Sequence, residues 1–167
     1  MTEFDDLEAT ELTVPDAFTA QYHTRSGNEQ ADMSRAMAEG FGKLWAYMQD
    51  KSLTCVGPPR AVYTSWGPEG TEFTLAFPVA EPSAPVQESG ACGIGTLAGG
   101  KALRFIHKGA YNGLMNTYGR ITEWMKSNGM IEDETGWAKY MPMWEEYLND
   151  PEITKEEDLL THIYVPL

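Results

Sequence analysis

Between Asn28 and Ser52 the apolar residues Met33, Met37, Phe41, Leu44 and Met48 recur at the three- and four-residue intervals of one helix face. The segment before them, AFTAQYHTRSG, has no such period and reads as extended. After the helix, PPRAVYTSW and TEFTLAFPVA read as two strands joined by the turn GPEG. Gly40 and Gly42 lie inside the helical stretch, where glycine costs roughly 1 kcal/mol relative to alanine. Their presence there predicts close packing.

The same succession returns further along. GGKALRFIHKG reads as a strand. In AYNGLMNTYGRITEWMKSNG, Leu114, Tyr118, Ile121 and Met125 form one helical stripe, stopped by Asn128-Gly129. MPMWEEYL and LLTHIYVPL close the copy as strands. The fold class expected is therefore α+β, with two pseudo-symmetric strand-helix-strand-strand repeats in one domain spanning residues 1–167. The repeats cover about residues 17–81 and 92–167, separated by a linker rich in proline and small residues at about 82–91. LWAYM and ITEWM end equivalent helices, and His23 and His107 sit at the ends of equivalent first strands.

Within GIGTLAGGKA the spacing of Gly95, Gly100 and Lys101 approaches a phosphate-binding P-loop. Such a loop needs a hydroxyl after the lysine for Mg²⁺ and a helix N-terminus directly behind it. Ala102 follows instead and a strand comes next, so these glycines start a strand.

Charge narrows the functions. A net charge of −13 opposes direct nucleic-acid binding, which demands a basic stripe. The residues before AFTAQYH are also too few and too acidic for a helix-turn-helix. Two acidic segments, Glu3, Asp5, Asp6, Glu8 and Glu11, and Asp150, Glu152, Glu156, Glu157 and Asp158, read as solvated faces. No apolar run reaches the ~18 residues of a membrane span, and Cys55 and Cys92 have no metal-like spacing. A cytoplasmic protein with no cofactor and no metal is expected. His23, His107 and His162 show no paired spacing that would build a metal centre.

The strand MPMWEEYL carries candidate chemistry. Alternation puts Met141, Met143, Glu145 and Tyr147 on one face and Pro142, Trp144, Glu146 and Leu148 on the other. An acid between methionine and tyrosine suits a pocket: aromatic and thioether walls hold a flat ligand while one carboxylate attracts its positive charge. On this pattern alone the acid is Glu145 or Glu146. Five Trp and eight Tyr are many for this length and favour a pocket that uses some of them.

RFIHKGAYNGLMNTYGRITEWMKSNG, WEEYLNDP and EEDLLTHIYVPL together resemble the GyrI-like small-molecule-binding family, the effector-binding domain of AraC- and MerR-type transcription activators. The first looks like its strand, H-x-G turn and helix ending in Trp, the second like its E-x-Y-x-x-x-P strand and turn, the third like its closing strand. The first half of the chain matches in element order only. Two departures stand out: Ala110 replaces the usual Pro after the turn, and His162 lies where the closing strand often carries an acid.

The resemblance implies antiparallel sheets forming a concave ligand cleft between the halves. It implies binding of a lipophilic cationic or planar aromatic molecule, for sequestration or sensing. It selects Glu145 over Glu146 as the pocket acid, with Tyr147 beside it. Pseudo-symmetry then places Tyr63, Trp66 and Phe73 on the opposite wall, with Met143 on the acid's own strand and Trp137 and Tyr140 as a mobile rim. Two alternatives use the same chain differently. Some relatives in fold hydrolyse cyclopropane-bearing natural products, which would make Glu145 a general acid or base assisted by Tyr147. A few act on a protein partner, gyrase, which the acidic surface would serve.

Overall fold

The structure is a computed structural model and describes residues 4–167; Glu3 lies outside the described residues. In chain order it comprises β1 (Thr10–Val14), β2 (Ala17–Ser26), α1 (Gln30–Asp50), β3 (Arg60–Gly67), β4 (Gly70–Pro78), β5 (Cys92–Leu97), β6 (Gly100–Lys108), α2 (Leu114–Ser127), β7 (Met143–Tyr147) and β8 (Leu160–Pro166). Short 3₁₀ turns lie at Asp5–Leu7, Tyr111–Gly113, Glu134–Tyr140 and Glu156–Asp158. The repeated strand-helix-strand-strand order is present as β2-α1-β3-β4 and β6-α2-β7-β8. The helix stop read at Asn128-Gly129 is a left-handed Gly129, φ 72°, with the Met130 N–H donating to Met125 O at 2.9 Å.

All eight strands form one antiparallel sheet in the order β1-β6-β8-β7-β3-β4-β2-β5. The halves meet where β3 pairs with β7, so a pseudo-dyad passes between those strands. β1 and β5 add to the expected repeats, and each joins the opposite half: β1 pairs with β6, and β5 with β2. Yet only Pro15-Asp16 separates β1 from β2, which lie toward opposite ends of the sheet. The sheet must therefore curl until its ends meet. At that corner the Gly99 N–H donates to Asp16 Oδ1 at 2.7 Å, and a Cβ on Gly99 would stand 1.9 Å from Val14 O. The glycine-rich stretch from Gly93 to Ala102 is thus β5, a tight corner and β6, with no helix behind it.

Both helices cover the same face. Leu44 and Met48 of α1 and Ile121 and Met125 of α2 share a core with Leu75, Phe105, Met143, Ile163 and Val165. Burial at roughly 25 cal/mol per Å² of apolar surface drives this side of the fold. A smaller cluster, Val14, Val62, Ala102, Trp144 and Tyr164, occupies the reverse face. The packing expected of the α1 glycines holds at Gly40, where a Cβ would lie 2.5 Å from Leu75 Cδ1. It does not hold at Gly42, which has nothing within 4 Å.

The N-terminal acids are exposed, as read, but they also have partners. Asp6 makes a two-pronged pair with Arg120 of α2, at 2.7 and 2.5 Å. Glu8 and Glu11 lie 3.6 and 3.7 Å from Lys108 and Lys101 of β6. With Leu7 buried in the core, these contacts hold the start of the chain against the second half. Among the described residues no helix is long and apolar enough to cross a membrane.

Candidate functional site

Glu145 lies on β7 beside the pseudo-dyad, paired with Ala61 of β3 on one side and Ile163 of β8 on the other. Its side chain points to the helix-covered face and is 2% exposed. The small side chain of Ala61, directly across the pair, leaves space for the carboxylate. Three phenols fill it. Tyr63 and Tyr147 donate to Oε1 at 3.2 and 2.5 Å, and Tyr118 of α2 donates to Oε2.

Burial pushes the Glu145 carboxyl above its ordinary range, and the three phenol hydrogen bonds draw it only part of the way back, with His107 adding a smaller downward pull. Burial likewise holds Tyr63, Tyr118 and Tyr147 far above the usual phenol range, reinforced by the charge of Glu145. The phenols therefore stay protonated and act as donors. Among the described residues, none of the hydrogen bonds to the carboxylate comes from a basic side chain. A buried carboxylate held only by neutral donors keeps a negative potential that an incoming cation can neutralise.

Aromatic rings lie over this floor. Trp66 sits 6.0 Å from Tyr63, 6.1 Å from Tyr118 and 5.8 Å from Trp137, centroid to centroid. Tyr111 and Phe41 lie edge-on to Tyr147 at 5.6 and 6.3 Å. Met143 is fully buried and accepts weakly from the Tyr118 hydroxyl at 3.8 Å. The structure thus brings Tyr63, Trp66, Trp137, Met143, Glu145 and Tyr147 together.

Three of the anticipated residues stand differently from their expected roles. Phe73 packs behind Tyr63 at 5.9 Å and is 2% exposed, a core residue supporting the wall. Tyr140 donates to Met130 O at 3.2 Å and borders a groove that Trp144 also lines, so it is set apart from the acid. Trp137 is no loose rim: it is buried, and its indole N–H donates to Thr122 Oγ1 at 3.0 Å. Trp66 is the exposed member, at 40%.

Tyr118, Phe41 and Tyr111 were not among the residues the sequence assigned to the pocket. Tyr118 was legible as part of the α2 stripe, but its hydroxyl only gains meaning once α2 is laid over β7. Glu146 faces the other way and lies 3.6 Å from Arg60 and 3.8 Å from His162. The three histidines have separate partners: His23 pairs with Thr74, His107 with Thr117 and Ala110 O, His162 with Glu146.

A curled antiparallel sheet with paired helices on one face and an acid at its centre defines a two-fold, ligand-binding class of α+β domain. The chain belongs to the GyrI-like small molecule binding domain family, whose model matches residues 11–167. Among solved structures it is similar to the C-terminal domain of EcmrR, at 15% identity and a TM-score of 0.69 over 95% of each chain. It is also similar to EcmrR in a DNA complex, at 16% identity and TM-score 0.74 over 95% of this chain; it spans 56% of that protein's length. SAV2435, solved bound to tetraphenylphosphonium, matches at 13% identity and TM-score 0.62 over 95% of this chain and 92% of its own. A protein from Listeria innocua described as a hydrolase matches at 11% identity and TM-score 0.58 over 95% and 90%. No curated protein matches the chain in sequence.

Proposed function

We propose that this protein binds a lipophilic cation, with Glu145 as its counter-ion and Tyr63, Trp66, Tyr118, Trp137 and Tyr147 as the aromatic enclosure, and so sequesters or senses such compounds. The observation that carries this reading is a carboxylate, 2% exposed, held by three tyrosine hydroxyls and, among the described residues, hydrogen-bonded to no basic side chain. In a site of low dielectric such a charge favours a delocalised cation, which loses little hydration on entry. Flat or bulky aromatic cations gain further from ring faces within about 6 Å. Since the acid is covered, entry requires the half-exposed Trp66 and its neighbours to part. The likeness to SAV2435, a protein solved with tetraphenylphosphonium, supports the same ligand class.

Tetraphenylphosphonium titrated against tryptophan fluorescence tests the proposal. Saturable quenching in the wild type, lost in Glu145→Gln, is the expected outcome; quenching of equal affinity in both would sink the counter-ion role.

Hydrolysis is the second reading, favoured by the 2.5 Å approach of the Tyr147 hydroxyl to Glu145 Oε1, close enough for the pair to relay a proton. Mass spectrometry of an electrophilic cyclopropane ligand after incubation separates the two. Recovery with one added water, from wild type and not from Glu145→Gln, makes the site catalytic.

A further inference from the structure

The face of the sheet turned away from Glu145 carries groups that the cation site does not use. Strand register aligns Arg104, Tyr164, Trp144 and Val62 in one row across β6, β8, β7 and β3, and Ile106, His162, Glu146 and Arg60 in the next. Trp144 stacks on Tyr164 at 5.1 Å with an interplanar angle of 14°. Both are 7% exposed.

Among the described residues the indole N–H of Trp144 has no hydrogen-bond partner; Nε of Arg60 makes no hydrogen bond either but is ion-paired, 3.6 Å from Glu146 Oε2. Leaving a buried donor unsatisfied costs about 1–3 kcal/mol, so the Trp144 N–H calls for an acceptor, while Arg60 keeps its ion pair with Glu146. Trp144 and Arg60 both line a groove of about 650 Å³, bordered by Val62, Leu97, Lys139 and Pro142. That volume suits a small molecule. Among the described residues the groove's lining includes two cationic side chains, Lys139 and the Glu146-paired Arg60, and no acidic one, in a chain whose net charge is −13. Glu146 faces the same side, but it is occupied by Arg60, by His162 at 3.8 Å and by the Tyr164 hydroxyl at 3.4 Å.

We propose that this groove is a second binding site, for a planar aromatic carboxylate or sulfonate. Its acid group accepts from the Trp144 N–H and Arg60, Lys139 attracts it at the rim, and its ring fills the apolar part formed by Val62, Leu97 and Pro142. The site is independent of Glu145 and opposite to it in charge preference.

Naphthalene-1-acetate, titrated by calorimetry and followed by ¹H–¹⁵N spectra of the tryptophan indoles, tests this. Saturable binding with a Kd of about 10–100 μM is expected, about tenfold weaker for the neutral methyl ester. The indole signal that Trp144→Phe deletes should move downfield on binding. Affinity should be unchanged in Glu145→Gln and by saturating tetraphenylphosphonium. Lys139 is exposed, so Lys139→Glu leaves folding intact and should weaken binding about fivefold or more. An ester that binds as well as the acid overturns the proposal, as does loss of binding in Glu145→Gln. Absence of saturation up to about 1 mM does the same.

Discussion

Tyr118 of α2 donates to Oε2 of Glu145 on β7, while the donors from the strands, Tyr63 and Tyr147, both reach Oε1. One oxygen thus has two phenols and the other relies on a helix. This asymmetry ranks the three tyrosines. Replacing Tyr118 with Phe should destabilise the fold by about 1.5–3 kcal/mol at neutral pH, the usual worth of a hydrogen bond to a charged group. Tyr63→Phe and Tyr147→Phe leave Oε1 with one donor each and should cost less. Urea denaturation of the three variants gives the order directly; equal losses would show that the two oxygens share their donors.

Acid and base should act on Glu145 with a definite sign. Its folded value is raised above the ordinary 4.5 because burial outweighs the phenols, so the native state holds the proton more tightly than the unfolded chain. Its contribution to stability is therefore full below the ordinary value and is lost as pH rises through the folded one. Glu145→Gln should lack that slope and melt higher than wild type at neutral pH. Melting curves of both proteins across this range make the comparison.

Cation affinity should run the other way. It needs the ionised carboxylate, so tetraphenylphosphonium should bind more tightly as pH rises through the same window and then level off. Tyr118→Phe, which removes a hydrogen bond that lowers the Glu145 value, should move the midpoint upward. Titrations at several pH values, with wild type and variant side by side, read the midpoint.

The two tryptophans over the site should separate binding from folding. Trp66 is 40% exposed and Trp137 4%. Trp66→Ala should weaken tetraphenylphosphonium by about tenfold, removing one cation–π wall, at small cost in stability. Trp137→Ala empties a core position and should cost about 3–5 kcal/mol. Paired ligand titrations and denaturant melts check both; a Trp66 variant that binds normally would remove it from the enclosure.

Glycines at the corner and in α1 offer a structural control. Gly99→Ala cannot be accommodated without moving backbone, because the new methyl would meet Val14 O at 1.9 Å and Pro15 C at 2.6 Å. A loss of about 3 kcal/mol or more is expected. Gly42→Ala meets nothing within 4 Å and should gain roughly 0.5–1 kcal/mol from the helix backbone. Thermal melts of the two variants should move in opposite directions.

Much of this was legible in the chain because periodicity reports local structure. The stripes of α1 and α2 and the alternation in β7 were enough to place Glu145 with Met143 and Tyr147. Ranking Glu145 over Glu146 took the E-x-Y pattern of the family, since adjacent acids look alike in composition. What was not legible is long-range. β1 and β5 are short, and their partners lie far along the chain, 94 residues apart in Thr10↔Arg104 and 76 in Thr19↔Gly95. Tyr118 and Glu145 meet only through the packing of α2 on the sheet. Tyr140 was displaced because β7 begins at Met143, two residues later than alternation suggested, which leaves Met141-Pro142 as a connector outside the strand.

The reciprocal placement of β1 and β5 has a topological meaning. Each half lends its leading strand to the other, as partners do in a strand-swapped homodimer, so the molecule is such a dimer written on one polypeptide. Neither half can complete its sheet alone, and a cut in the segment between β4 and β5 would leave two fragments that are each other's missing edge.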